Sequence, residues 1–294
     1  MQGSEAIRGN FLFLSYGREV YERETLFSVL SLLRWGEPGA KGYGIRVLTE
    51  RPDLFADLPA DVEKLSPETI RAWQGSFCFN FRMKIMAVQS VLKATGLPVI
   101  YLDGDTYLTR RPERLLERVG PGRALMHICE GRICDSPHAE LIAFLHAGMV
   151  PREWGLDATA ETRMWNAGVV GIHPDDGELL ESALQLTDKL CAQLKDHTVL
   201  EQFAFSYYLS RRTRLSEGDD VVYHYWAQHL RQPFREKLVD LLAASEGLSY
   251  SRRAEYCFRH RPLPSPYRRL RLSVRKLLER IGAYPVSRWR HSPW

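Results

Sequence analysis

No stretch of this chain approaches the roughly 20 consecutive apolar residues that cross a bilayer. The apolar run Phe11-Leu-Phe-Leu14 covers only four positions. An integral membrane protein is therefore excluded. The opening MQGSEAIRGN lacks a basic region followed by a long apolar run, so no secretory leader is expected. Cysteine is sparse: Cys78, Cys129, Cys134, Cys191 and Cys257 are five in all, an odd number, scattered and without a CxxC pair. Cys129 and Cys134 have no second close pair with which to build a zinc site. Free thiols and a cytoplasmic location are expected. Glycine is scarce where nucleotide-binding loops need it. Ser15-Tyr16-Gly17-Arg18 follows the first apolar run and fits neither a P-loop nor a dinucleotide fingerprint. There is no internal repeat and no low-complexity linker.

What is present is an ordinary soluble composition, 45% apolar and 26% charged over 294 residues, ample for a buried core. The net charge of +4 is uneven: twelve Lys or Arg against two Asp or Glu from Arg252 to Trp294 give that segment +10, leaving −6 for the rest. Leu270, Val274, Leu277, Leu278 and Ile281 fall at helical spacing there, among Arg268, Arg269, Arg271, Arg275, Lys276 and Arg280. Such a basic amphipathic helix can lie on an anionic membrane surface or pack on its own domain. No nucleic-acid module surrounds the charge, so nucleic acid is not an expected partner. The partition expected is a catalytic body over 1–250 and a basic helical extension over 251–294.

Strand and helix alternate in the first half. Phe11–Leu14 reads as a buried strand, Arg18–Trp35 as a helix stopped by Gly36 and Pro38, Tyr43–Leu48 and Asp61–Leu65 as strands. Ser66-Pro67-Glu68 starts a helix. Another runs over Phe81–Ala94 and ends at Gly96. Pro98–Leu102 is a strand almost without polar residues, hence central and covered on both faces. Further strands are expected over Ala124–Ile128, Val169–Ile172 and Asp219–Tyr223, and helices over Gly177–Lys195 and Leu200–Leu209. The class is α/β, a mostly parallel central sheet flanked by helices.

The informative stretch is Val99-Ile-Tyr-Leu-Asp103-Gly-Asp105-Thr-Tyr-Leu108. Two carboxylates sit just past the C-terminal end of an apolar strand, the edge where open α/β sheets bind ligands. Gly104 lets the backbone turn so that both acids can converge on one hard cation. The plain alternative is an Asp-Gly turn. However, carboxylates at the end of a buried strand are costly unless a cation compensates them.

These residues, about one hundred positions in and after a helix carrying Arg82-Met-Lys84, resemble the DxD region of GT-A glycosyltransferases. The branch they resemble includes glycogenin and the bacterial lipopolysaccharide glucosyl- and galactosyltransferases. Met164-Trp-Asn166-Ala-Gly168-Val-Val-Gly-Ile172 is similar to that branch's Asn-Ser/Ala-Gly-Val strand, Leu200-Glu201-Gln202-Phe203 to its acid-Gln pair, and Val222-Tyr-His224-Tyr-Trp226 to the late strand whose His completes a metal site. The ordered set spans about residues 10 to 230. Two departures stand out: no Gly-x-x-Lys-Pro-Trp run follows His224, and Glu201-Gln202 lacks the second acidic position.

The resemblance implies a GT-A fold and transfer of a sugar from a nucleotide-diphosphate donor, foremost a UDP-sugar, to a glycan or lipid-linked acceptor with retention of configuration. It implies Asp103, Asp105 and His224 as ligands of Mn²⁺ or Mg²⁺, the nitrogen favouring Mn²⁺. Ser15, Tyr16, Arg82, Lys84, Asp103 and Gly168 would grip the donor, with Tyr16 stacking on the base. Asn166, Glu201 and Gln202 would serve the reacting sugars. Peripheral placement on the inner membrane face would suit a lipid-linked acceptor. Two rival readings remain. One is a haloacid dehalogenase-like phosphatase, whose Asp-x-Asp normally opens the domain and is followed by Thr or Val where Tyr107 stands. The other is a glycosyltransferase-like protein that binds a sugar-nucleotide without turnover.

Overall fold

The structure, a computed structural model, describes residues 6–146, 150–263, 274, 277 and 278. The first strand is β1 (Asn10–Ser15), buried throughout. It leads into α1 (Glu19–Leu33), whose first turn carries Glu19 and Glu22, where a helix N-terminus favours negative charge. β2 (Gly44–Thr49) and β3 (Asp61–Lys64) follow. α2 (Pro67–Gln74) starts as its sequence predicts, with Ser66 Oγ accepting from the Thr69 amide at 3.1 Å. α3 (Arg82–Thr95) stops at Gly96, whose φ of 62° is left-handed. β4 (Val99–Leu102) is buried at all four positions.

The second half runs through β5 (Thr106–Leu108), α4 (Glu113–Leu116), β6 (Arg123–Met126), β7 (Cys129–Arg132) and α5 (Ala139–His146). Then come β8 (Arg163–Trp165), β9 (Val169–Ile172), α6 (Glu178–Gln193), α7 (Leu200–Arg212) and β10 (Arg214–Glu217). β11 (Val222–His224), α8 (Gln228–Ala244) and α9 (Tyr250–Arg259) complete the series. The strand expected over Asp219–Tyr223 is shorter at its start and holds His224 itself. Asp220 is taken into a turn by Arg118, at 2.6 and 2.8 Å, and the amides of Val221 and Val222 bond back to the Gly218 carbonyl.

Seven strands form one sheet in the order β10-β6-β9-β4-β1-β2-β3. β1 pairs in parallel with β2 and β4, β2 with β3, and β6 with β10, while β9 runs antiparallel between β4 and β6. This is the mostly parallel α/β sheet that the alternation predicts. Period-two alternation in β1 sends Leu12 and Leu14 to one face, under α3, α6 and α7, and Phe11 and Phe13 to the other, under α1, α8 and α9. β4 is thus covered on both faces.

β5 and β11 form a separate antiparallel ribbon that pairs His224 with Thr106 and Tyr223 with Tyr107. α1 holds it with small polar side chains. Ser31 Oγ accepts from the Leu108 amide at 3.0 Å, and the hydroxyls of Ser28 and Thr106 lie 3.0 Å apart. α9 joins the same core: Arg34, just past the end of α1, binds Glu255 at 2.7 Å and lies over the Phe258 ring. Tyr107 donates to the Pro262 carbonyl at 2.6 Å. The basic helix expected over Leu270–Ile281 lies outside the described residues, apart from Val274, Leu277 and Leu278.

Phe27 of α1 is fully buried and meets Tyr107, Tyr225 and Phe234 edge-on. Phe27→Ala should cost about 3–5 kcal/mol, read as a lowered urea midpoint at unchanged slope. A loss under about 1 kcal/mol would contradict this packing.

Candidate functional site: an acid pair with an imidazole at the sheet edge

Asp103 and Asp105 follow β4 directly. Their turn is tied down from three sides. The Asp103 amide donates to the Gly168 carbonyl at 2.9 Å, Thr106 Oγ1 donates to the Asp103 carbonyl at 2.7 Å, and the Tyr225 amide donates to the Asp105 carbonyl at 3.0 Å. Gly104 sits against α1, where a Cβ would lie 2.7 Å from Thr25 Oγ1 and 3.3 Å from the Thr25 amide nitrogen. No larger residue fits that turn without moving α1.

The ribbon register carries His224 over the acids. Its Nε2 lies 3.1 Å from Asp105 Oδ1 and 4.0 Å from Asp103 Oδ2. One potential ligand atom from each of Asp103, Asp105 and His224 falls within 4.8 Å of the other two. Gly168 makes room for the ring: a Cβ there would stand 2.4 Å from His224 Nδ1.

Protein cations flank both acids. Lys84 Nζ, buried on α3, lies 3.2 Å from Asp103 Oδ1 and 3.2 Å from Glu201 Oε1, and donates to the Ala167 carbonyl at 3.0 Å. Arg231 on α8 places Nη1 2.7 Å from Asp105 Oδ2. Its Nε and Nη2 grip Glu24 of α1 at 2.9 and 2.7 Å, and Arg235 grips the same carboxylate at 3.0 and 2.9 Å. Burial alone would raise the Asp105 carboxyl, but His224 and Arg231 hold it well below the usual carboxylate range. Burial would lower the Lys84 ammonium, but Asp103 and Glu201 outweigh it and hold it above its ordinary value. Burial pushes the Glu201 carboxyl up despite Lys84.

Behind His224 runs a buried hydrogen-bonded row. Asn166 Oδ1 lies 3.0 Å from His224 Nδ1 and accepts from the Gly168 amide at 3.0 Å, and Asn166 Nδ2 donates to Glu130 Oε1 at 3.0 Å. Gln202 Nε2 donates to the other Glu130 oxygen at 2.8 Å. The β7–β8 pairing shifts register between Cys129 and Gly131, and such a bulge re-aims the side chain it displaces, here Glu130 towards Asn166. Burial pushes the Glu130 carboxyl up to about 7 against the two amide bonds that favour its charge.

Of the residues singled out in sequence, Asp103, Asp105, His224, Lys84, Asn166, Gly168, Glu201 and Gln202 come together. Arg82 does not join them. It binds Asp188 of α6 at 2.7 and 3.0 Å and the Trp73 carbonyl at 2.7 Å. Tyr16 is half-buried, donates to the Asn80 carbonyl at 3.0 Å, and has its phenol pushed up by burial and by Asp103. The Ser15 hydroxyl is buried without a hydrogen-bond partner among the described residues. Glu24, Glu130, Arg231 and Arg235 were not foreseen. Only the i, i+4 spacing of the two arginines hinted at a shared face. A separate cavity of about 450 Å³, lined by Thr159, Glu161, Arg163, Trp165, Ser210 and Arg211 among others, includes none of the clustered residues.

The two oxygens and one nitrogen suit a hard divalent cation of the Mn²⁺ or Mg²⁺ kind. Arg231 takes the Asp105 oxygen that faces away from the imidazole, while Lys84 spans both oxygens of Asp103, at 3.2 Å from Oδ1 and 3.4 Å from Oδ2. The residues fit the ion.

In overall fold the chain is similar to the glycosyltransferase GlyE of Streptococcus pneumoniae, with a TM-score of 0.50 at 14% identity over 87% of this chain and 64% of GlyE. The fold is GT-A. The chain therefore spans under two thirds of GlyE's length. Apo GlyE (TM-score 0.49, 17% identity, 89% and 66% covered) and apo mouse xyloside xylosyltransferase 1 (0.44, 14%, 69% and 81%) are more distant in structure and carry no weight here. No protein-family model matches the chain, and no curated protein matches it in sequence. Within the GT-A fold, the acid pair lies at the C-terminal edge of β4, where open α/β sheets bind ligands.

A carboxyl raised on folding stabilises the fold below its ordinary value of 4.5, and that contribution is lost as pH rises through about 7. Glu130→Gln should therefore gain on wild type between pH 5 and pH 8, by on the order of 2–3 kcal/mol in urea unfolding. An equal difference at both pH values would remove Glu130 as the titrating group.

Proposed function

We propose that this chain is a metal-dependent glycosyltransferase that moves a hexosyl group from a nucleotide-diphosphate donor, foremost a UDP-sugar, to a glycan or lipid-linked acceptor with retention of configuration. One observation carries the reading: Asp103, Asp105 and His224 converge at the sheet edge beside buried Lys84 and Glu201. A divalent cation held by those three residues would supply charge opposite that developing on a departing diphosphate.

The chain's own residues prepare the rest. Lys84 fixes Asp103 and Glu201 in one position and adds a fixed positive charge where the donor's anionic groups would lie. Glu201 and Gln202 begin α7 and present a carboxylate and an amide to that region. Burial of Asp105 and Glu201 on the protein side limits water, and a drier site strengthens each electrostatic contact. Peripheral binding at an anionic membrane surface belongs to the same reading and rests on the basic residues of 252–294.

A second reading is favoured by one feature. Lys84 and Arg231 already offset both acids, an arrangement that would also suit sugar-nucleotide binding without turnover.

With Mn²⁺ and a UDP-sugar, wild type should release UDP and gain thermal stability, about 2.7 kcal/mol at a hundredfold excess of ligand over Kd. Asp105→Ala should lose the Mn²⁺-dependent gain and reduce turnover on the order of a thousandfold. Stabilisation without UDP release would favour the binder. Turnover unaffected by chelation or by Asp105→Ala would sink both.

A further inference from the structure

We infer that Asn166 is a positioning residue that makes His224 a metal ligand by fixing the tautomer of its ring, with Glu130 and the Gly168 amide fixing the sense of the Asn166 amide. The inference rests on reading the acid pair as a cation site, and it concerns residues that do not touch the ion.

An asparagine side chain offers one acceptor atom and one donor group. The Gly168 backbone N–H can only donate, and it points at one terminal atom of Asn166 from 3.0 Å. That atom must be the oxygen. The other terminal atom lies 3.0 Å from Glu130 Oε1, which accepts. Two unrelated neighbours, one on each side, therefore exclude the flipped amide. Gln202 holds the second oxygen of Glu130 and so fixes that carboxylate in turn.

His224 Nδ1 lies 3.0 Å from the same Asn166 oxygen. Facing an acceptor, Nδ1 must carry the proton. In the neutral ring Nε2 then bears the lone pair, and Nε2 is the nitrogen aimed at Asp105 and Asp103. When a cation displaces the proton between Nε2 and Asp105, that nitrogen's lone pair and the two carboxylates form an acceptor-only opening, the arrangement a cation requires. The opposite tautomer would donate from Nε2 to Asp105 Oδ1 at 3.1 Å and close that opening. Without Asn166 the carboxylate would favour this closed form. Gly168 serves the arrangement twice, through its amide and by lacking the Cβ that would strike His224 Nδ1.

The test uses the full chain. Mn²⁺ affinity is measured by electron paramagnetic resonance without donor, and the protonation of the His224 ring nitrogens is read by ¹H–¹⁵N correlation in the metal-free protein. Asn166→Leu should weaken Mn²⁺ binding about 10- to 100-fold and move the proton off Nδ1. Asn166→Asp combined with Glu130→Gln keeps an acceptor towards His224 and a donor behind it, and should restore both wild-type affinity and the Nδ1 proton. A leucine variant that binds Mn²⁺ as wild type does, or keeps Nδ1 protonated, overturns the inference. Should that variant not fold, the double variant decides: tight binding supports the relay, and a loss of tenfold or more overturns it. Asp105→Ala is the control. If it binds Mn²⁺ as well as wild type, the cation-site reading fails instead, and the ring-nitrogen spectrum alone decides the relay.

Discussion

Two carboxylates stand at the end of a strand whose every residue is buried, and they cannot remain there without compensation. Asp105 is 5% exposed, and a buried, unpaired carboxylate would be prohibitively unstable. Compensation arrives from three separate elements: Lys84 on α3, His224 on β11 and Arg231 on α8. These elements sit on both faces of the sheet, so charge balance at one turn joins the two cores. Arg231 and Arg235 in turn need Glu24 on α1, which makes α1 part of the same network. Removing one partner of such a pair leaves the other charge buried, typically at 3–5 kcal/mol.

The same contacts explain features that would otherwise look incidental. Gly104 and Gly168 have no Cβ because α1 and the His224 ring occupy the space. The β5–β11 ribbon, only three residues long on each side, places His224 opposite Thr106 and so within reach of both acids. The register shift at Glu130 turns a carboxylate inward where two amides can bind it. From Gln202 through Glu130, Asn166, His224, Asp105 and Arg231 to Glu24, each side chain orients the next.

Much of this was legible in the residues. Strands β1, β2 and β4 and helices α1, α3, α6 and α7 announce themselves through long apolar runs, helical spacing and terminating glycines. Asp103, Asp105, Asn166, Glu201 and His224 stand out in the sequence as ordered blocks, and the fold brings them close together. The strands β5, β7, β8 and β10 do not stand out: unlike the equally short apolar runs of β4 and β9, each mixes in polar residues and is too short to show a period. Glu24 and Glu130 were hidden for a different reason. A glutamate inside a helix or hairpin reads as solvated surface unless its partners are known, and Arg231, Arg235, Asn166 and Gln202 lie far away in sequence. Arg82 looked like a donor ligand because it neighbours Lys84. A two-residue step on a helix instead turns it away, towards Asp188.

As a cation site, this turn would gather the ion between two acids and an imidazole. Anomalous diffraction at the manganese edge, from crystals grown with Mn²⁺ and UDP, tests it most directly. One peak is expected within about 2.5 Å of oxygens of Asp103 and Asp105 and of His224 Nε2, with Arg231 still on Glu24. A saturated crystal with no peak there, and Lys84 and Arg231 still closed on the two acids, would contradict it.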